Sequence, residues 1–186
     1  MASLASETNI TEGLFKAAYR WLGKLPGGAC LATIVTCSGM AALTGSSAAT
    51  AATMSRLALP ELRRYNYDIG MAVGSCCVGG TLAIMIPPSI TFVLYSMFAE
   101  QSIGKLLMAG ILPGIVLATL FCIMIVVRVK RNPALAPASP DFTMKEKVQA
   151  LLGVVPFLIL IVALVVCILT GIATPVESIA ISKHEC

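Results

Sequence analysis

The sequence predicts an all-α membrane protein, and three observations carry that prediction. Hydrophobic residues make up 58% of the 186 positions and charged residues 12%, about half the charged share of a soluble domain, and the mean hydropathy is +0.91. Four stretches, 25–55, 69–99, 106–127 and 148–176, contain no Asp, Glu, Lys, Arg or His, whereas a transmembrane helix needs only roughly 17–25 mostly apolar residues. Two of them, 25–55 and 69–99, are interrupted near their centres by glycine, serine and proline. The expected order is an interfacial amphipathic helix over 1–25, then a re-entrant helical hairpin plus a discontinuous transmembrane helix over 26–100. A transmembrane helix over 101–131, a cytoplasmic linker over 132–147, and a last transmembrane helix with a truncated tail over 148–186 complete it.

Each element has its own reason. Leu14, Phe15, Ala18, Trp21, Leu22 and Leu25 recur at helical spacing, with Lys16, Arg20 and Lys24 on the other side. That pattern predicts a helix lying in the membrane interface, Tyr19 and Trp21 at headgroup level. Pro26-Gly27-Gly28 ends it. The run 25–55 is rich in Ala, Gly, Ser and Thr; as one helix it would rise ~45 Å, well beyond a ~30 Å hydrocarbon core. Two arms folded at Gly45-Ser46-Ser47 fit better. Both flanks are basic, Lys24 on one side and Arg56, Arg63 and Arg64 on the other, which places both ends on the cytoplasmic face. Residues 69–99 are expected to cross outward, break at Gly79-Gly80 and at Pro87-Pro88, and resume as a half-helix from Ser89 to Ala99. Residues 106–127 return inward to Arg128, Lys130 and Arg131, and 148–176 cross out again after a linker with Lys145 and Lys147.

Composition also excludes whole classes of function. The formal net charge of +4 arises between the apolar runs, and no aromatic and basic patch suggests a nucleic acid partner. Of seven cysteines, Cys30, Cys37, Cys76, Cys77, Cys122 and Cys167 lie inside the runs with no CxxC and no nearby histidine, so they read as small apolar residues. A serine nucleophile would want a base, and the only histidine, His184, lies in the polar tail; no enzyme is expected. Thr33, Thr36 and Thr91 are expected to bond the backbone one turn back.

The interruptions carry the chemistry. Backbone groups freed from a helix at bilayer depth cost several kcal/mol each unless they are buried in protein or line a polar cavity. Proline has no N–H, so Pro87 and Pro88 leave the carbonyls of Ala83 and Ile84 without helical donors. Together with hydroxyls of Thr44, Ser46 and Ser47 these oxygens suit a hard monovalent cation such as Na⁺. The runs hold no carboxylate, which argues against an intramembrane proton relay. The half-helix beginning at Ser89 and the second hairpin arm each turn a helix N-terminus, with its partial positive charge, toward the same region. An acid held there beside Na⁺ would sit against Ser46, Ser47, Gly80, Thr81 and Ser89. The plainer alternative is that the glycines only allow close packing and the prolines only kink a helix.

At these residues the sequence becomes recognisable. Leu25-Pro26-Gly27-Gly28, Thr44-Gly45-Ser46-Ser47-Ala48-Ala49-Thr50, Ala58-Leu59-Pro60-Glu61, Tyr67-Asp68, Gly79-Gly80-Thr81-Leu82, Ile86-Pro87-Pro88-Ser89-Ile90, Ser102-Ile103-Gly104-Lys105 and Gly110-Ile111-Leu112-Pro113-Gly114 occur in this order. In order and spacing, from about Leu14 to Glu177, they resemble the large membrane subunit, DctM type, of tripartite ATP-independent periplasmic (TRAP) transporters.

The resemblance implies a Na⁺-coupled importer of small organic acids such as C4-dicarboxylates, working by an elevator motion in the bacterial inner membrane. It implies a small membrane subunit of DctQ type and a periplasmic binding protein of DctP type as partners, with membrane lipids around them. By motif it places a Na⁺ site on Thr44, Ser46, Ala83, Ile86 and Pro88, mainly through carbonyls, although the family more often has Ser and Gly where Thr44 and Ala83 stand. Such subunits are longer and contain an inverted repeat, of which no second copy is visible here, so the sequence reads as a partial chain. A related Na⁺/dicarboxylate or anion carrier, and a membrane scaffold without transport activity, are the other readings open at this point.

Overall fold

A computed structural model describes residues 2–87 and 89–137, with side chains from Thr11 onward. The described residues form α1 (Ala2–Leu22), α2 (Gly28–Thr44), α3 (Ser47–Arg64), α4 (Ile69–Met85), α5 (Ile90–Phe98), α6 (Ile103–Arg131) and a short 3-10 turn, Pro133–Leu135. The expected transmembrane segment 148–176, most of the linker 132–147, and Pro88 lie outside them.

The run 25–55 is two helices, as its length and small residues imply. Thr44 ends α2, Ser47 begins α3, and Gly45 between them takes φ +55°, ψ 11°, a left-handed conformation that costs a residue with a Cβ roughly 1–2 kcal/mol. α4 lies along both arms, and Ile34, Met54, Leu62 and Leu82 fill the space between them, each almost wholly buried. Thr33 donates to Ala29 O at 2.9 Å and Thr36 to Ala32 O at 2.7 Å, the expected way of carrying hydroxyls through an apolar helix.

Tyr67 and Asp68 explain their own motif. The α2 start has no side-chain cap of its own at Gly27; instead Ala29 N donates to the Tyr67 hydroxyl at 3.3 Å. Asp68 caps α4, accepting from Met71 N at 3.0 Å, while its own amide donates to Leu135 O at 3.1 Å. The α3–α4 connection thereby ties the starts of α2 and α4 to the far end of α6.

Two expectations are corrected here. Gly79-Gly80 do not break the second run: α4 is continuous from Ile69 to Met85. A Cβ on Gly79 would come within 2.5 Å of Cys37 Sγ, and one on Gly80 within 2.8 Å of Ala51 Cβ. The pair therefore serves the approach of α4 to the hairpin arms. The second correction concerns α1, whose Tyr19 is buried, its ring stacked on Tyr65 at 4.9 Å, and not at a surface; Trp21 is 51% exposed. Burial and the Glu61 carboxylate raise the Tyr65 phenol above its ordinary value. The cysteines divide: Cys30, Cys37 and Cys76 are buried, Cys122 is half-buried and Cys77 is exposed.

Among the described residues α6 is the helix long and apolar enough to cross a membrane by itself, and α4 with α5 would make a second span, bent by 40° at the break between them. Its 29 residues rise ~43 Å at 1.5 Å per residue. Only 17% of its most apolar window is buried, which a core helix of a water-soluble protein would reverse. Leu112, Ile115, Val116, Leu120, Ile123 and Met124 all point outward.

Candidate functional site

Two helix discontinuities meet in this fold. The amide of Ile90, at the start of α5, donates to the carbonyl of Gly45, at the tip of the hairpin, at 3.3 Å. The break after α4 begins where Ile86 N makes the last helical bond, to Leu82 O at 2.9 Å; Pro87 has no proton to offer Ala83 O. Ser89, the N-cap of α5, has φ −107° and ψ 126°, so the chain is extended there before it turns helical again.

Both serines at the two helix starts decline the usual job. Ser46 occupies the N-cap of α3 and Ser89 that of α5, and neither side chain makes a capping bond, although an N-cap serine normally stabilises a helix by about 1 kcal/mol. The first intrahelical bonds are Thr50 N to Ser46 O at 3.1 Å and Val93 N to Ser89 O at 3.2 Å. Amides earlier in each first turn are left without an intrahelical acceptor. Ser89 is fully buried, and its Oγ has no hydrogen-bond partner among the described residues. A buried hydroxyl left unsatisfied costs about 1–3 kcal/mol, which makes Ser89 a candidate to meet a ligand.

Across the hairpin tip Thr44 and Thr50 join hydroxyl to hydroxyl at 2.6 Å. Thr44 Oγ1 also donates to Met40 O at 3.0 Å. A hydroxyl has one proton, so when Thr44 gives its own to Met40, Thr50 supplies the proton of the pair. Thr50 is fully buried and was not singled out from sequence; only its place one turn after Thr44-Gly45-Ser46 pointed to it. The break is seated on α6 through Gly110, where a Cβ would lie 2.9 Å from Met85 O and still closer to the Phe92 ring.

The structure gathers some predicted residues and separates others. Thr44 and Ser46 flank the Gly45 carbonyl that Ile90 reaches, and Ser89 adjoins Ile90. Gly80 lies behind the tip, where its missing Cβ would approach Ser47 O at 3.3 Å. Ala83 is buried and Ile86 is half-buried. Thr81 stands apart: it is exposed and donates to Val78 O at 2.7 Å, a hydroxyl already occupied by its own helix. The described part of the site has no ionisable side chain among its predicted residues, and among the described residues no group of three or more His, Cys, Asp or Glu gathers to hold a metal. What remains are carbonyl and hydroxyl oxygens beside two helix starts, groups whose chemistry is compatible with Na⁺ and with an anion.

Over its whole length, residues 1–186, the chain matches the family described as Tripartite ATP-independent periplasmic transporter, DctM component. The chain belongs to the DctM family. Among curated DctM relatives it is 35% identical over 175 residues to the C4-dicarboxylate TRAP transporter large permease protein DctM of Pseudomonas aeruginosa, covering 93% of this chain and 40% of that protein. It is 31% identical over 183 residues to the 2,3-diketo-L-gulonate TRAP transporter large permease protein YiaN of Escherichia coli, 96% of this chain and 43% of the relative. A shorter match, 42% over 106 residues, is to the isethionate TRAP transporter permease protein DctMQ of Oleidesulfovibrio alaskensis, covering 57% of this chain and 17% of that one. This DctM chain thus spans about 40% of the length of the first relative. DctM is a family of membrane transporter permeases, and not of enzymes.

Proposed function

We propose that the chain forms one half of the transport domain in a Na⁺-coupled, binding-protein-dependent importer of small organic acids, moving by an elevator mechanism in the bacterial inner membrane. The observation that carries this reading is the hydrogen bond from Ile90 N to Gly45 O at 3.3 Å, which joins the hairpin tip to the broken helix beside the buried, unpartnered Ser89 hydroxyl. Na⁺ would take oxygens from Thr44, Ser46, Ala83, Ile86 and Pro88. The acid would lie against Ser46, Ser47, Gly80 and Ser89, where uncapped helix starts offer N–H groups and partial positive charge; the exposed Thr81 is the weakest member of that set. The names of the relatives fit an acid, since dicarboxylate, diketogulonate and isethionate are all small organic anions.

A tripartite assembly supplies the partners in this reading: a small subunit of DctQ type and a periplasmic binding protein of DctP type. One relative whose name joins the two in a single permease, DctMQ, supports the first. The test is uptake into proteoliposomes holding the complete permease with its binding protein, offered labelled C4-dicarboxylates and other small acids. Accumulation that follows an inward Na⁺ gradient and stops when K⁺ replaces Na⁺ is the expected result. Uptake indifferent to Na⁺ overturns the coupling, and no uptake of any acid by the assembled system overturns the transport reading.

A further inference from the structure

Three segments distant in sequence meet at one end of the molecule, and the meeting is fixed by specific contacts. The turn between α1 and α2 lies against the last turns of α6, since a Cβ on Gly27 would fall 2.9 Å from Ile125 Cγ2 and 3.1 Å from Val129 Cγ2. The α3–α4 connection reaches the same place through the bond from Asp68 N to Leu135 O at 3.1 Å. It also holds α2 through Ala29 N and the Tyr67 hydroxyl, and α1 through the Tyr65 and Tyr19 rings. This end therefore collects Lys24 from the first segment, Arg63 and Arg64 from the second, and Arg128, Lys130 and Arg131 from the third.

Four of these cations, Arg63, Arg128, Lys130 and Arg131, lack an ion-pair partner among the described residues. All six are exposed. Among the described residues, Glu61 reaches Arg64 at 4.0 Å and Asp68 is engaged with the α4 amide. The level of this end relative to a bilayer is legible too. Along α6 the outward apolar residues continue through Ile123, Met124 and Val127 and give way at Arg128, while Trp21, half-exposed in the last turn of α1, is the residue type that settles at headgroup depth.

We propose that this end binds anionic phospholipid headgroups, with α6 offering its apolar flank to the acyl chains and the basic residues of all three segments meeting the phosphates. Cations beside a negatively charged leaflet attract it strongly enough to matter individually, about five-fold in affinity per Lys or Arg near the surface. Lipid here would tie together three segments that carry the hairpin, the broken helix and the long span.

The test is native mass spectrometry of the full chain released from mixed micelles holding equal phosphatidylglycerol and phosphatidylethanolamine, the bound lipids being counted by mass. Phosphatidylglycerol should be retained in preference, and the preference should fall more than ten-fold in R128Q/K130Q/R131Q and several-fold in R63Q, which alters a different helix. K105Q, at the opposite end of α6, should leave it unchanged. Helix content and thermal unfolding of each variant are read alongside, and R63Q decides if the triple variant does not fold. Retention without headgroup preference, or a preference lost in K105Q and kept in R63Q, overturns the proposal. Displacement of the lipid by millimolar glycerol 3-phosphate would also overturn it, since it would mark a site for a soluble phosphate.

Discussion

At the scale of single residues, the site is defined by hydroxyls that do not do what their positions suggest. Ser89 sits at a helix start, buried, with no partner for its Oγ among the described residues. If the serine were structural, losing the hydroxyl would cost stability. Because no bond is lost, Ser89→Ala is expected to leave the thermal midpoint unchanged or slightly raised, while weakening acid uptake several-fold in the assembled transporter. A fall in stability with unchanged uptake would show the hydroxyl to be structural. Thr50 is the opposite case. It is fully buried and holds Thr44 at 2.6 Å across the tip, so Thr50→Val, which keeps the shape and removes the proton, should cost about 1 kcal/mol and raise the Na⁺ concentration needed for half-maximal uptake. Thr50→Ser should restore both. The sequence marked Ser89 as a helix start facing the acid but not that its hydroxyl would be buried and unbonded, and Thr50 read as one threonine in an Ala- and Ser-rich run; hydroxyl partners are decided by neighbours from other helices, which spacing does not encode.

Among the helices, what the sequence made legible was wherever covalent chemistry leaves little choice. Pro87 cannot donate a hydrogen bond, and α4 stops two residues before it. The run 25–55 is too long for one span, and it folds at Gly45, the residue able to take a positive φ cheaply. Gly79-Gly80 was misread because glycine permits two things, a break and a close approach, and the sequence gives no means of choosing between them. The choice is made by Cys37 and Ala51 on the hairpin arms. That account predicts a coupled pair. Gly79→Ala should destabilise the protein by about 1–3 kcal/mol through overpacking against Cys37 Sγ, and Cys37→Ala, which removes the sulfur, should recover part of that loss in the double variant. Thermal or denaturant unfolding of the four proteins in detergent measures the coupling. Additive losses, with no recovery, would mean that α4 shifts away and the two residues do not share the space. Tyr19 teaches a related point: helical periodicity separated the apolar side of α1 from its charged side, but only the packing shows that Tyr65 covers Tyr19 while Trp21 stays open.

For the whole molecule, the remaining question is how the chain lies across a bilayer, and the contacts constrain it more tightly than loop charge alone. The α1–α2 turn, the α3–α4 connection and the end of α6 are bound to one another, so they must share one side of the membrane. α2 and α3 are 17 and 18 residues long, each rising ~25 Å, and they turn at a tip that is bonded to the broken helix and not left in water. A hairpin that crossed fully would need its tip outside. The start of α6, by contrast, lies ~43 Å along the helix from Arg131, far enough to reach the opposite face of a ~30 Å core. Single cysteines at Lys24, Asn66 and Asn132, placed in a background free of native cysteine because Cys77 is exposed, should therefore react with a membrane-impermeant maleimide from the same side. A cysteine at Gln101 should react only from the other side, and one at Ser46 from neither until the membrane is dissolved. Labelling of Ser46 and Gln101 from a common face would mean the hairpin spans the bilayer, and the oxygens gathered at Gly45 would then lie in bulk water, where they would have no advantage over water as ligands for a sodium ion.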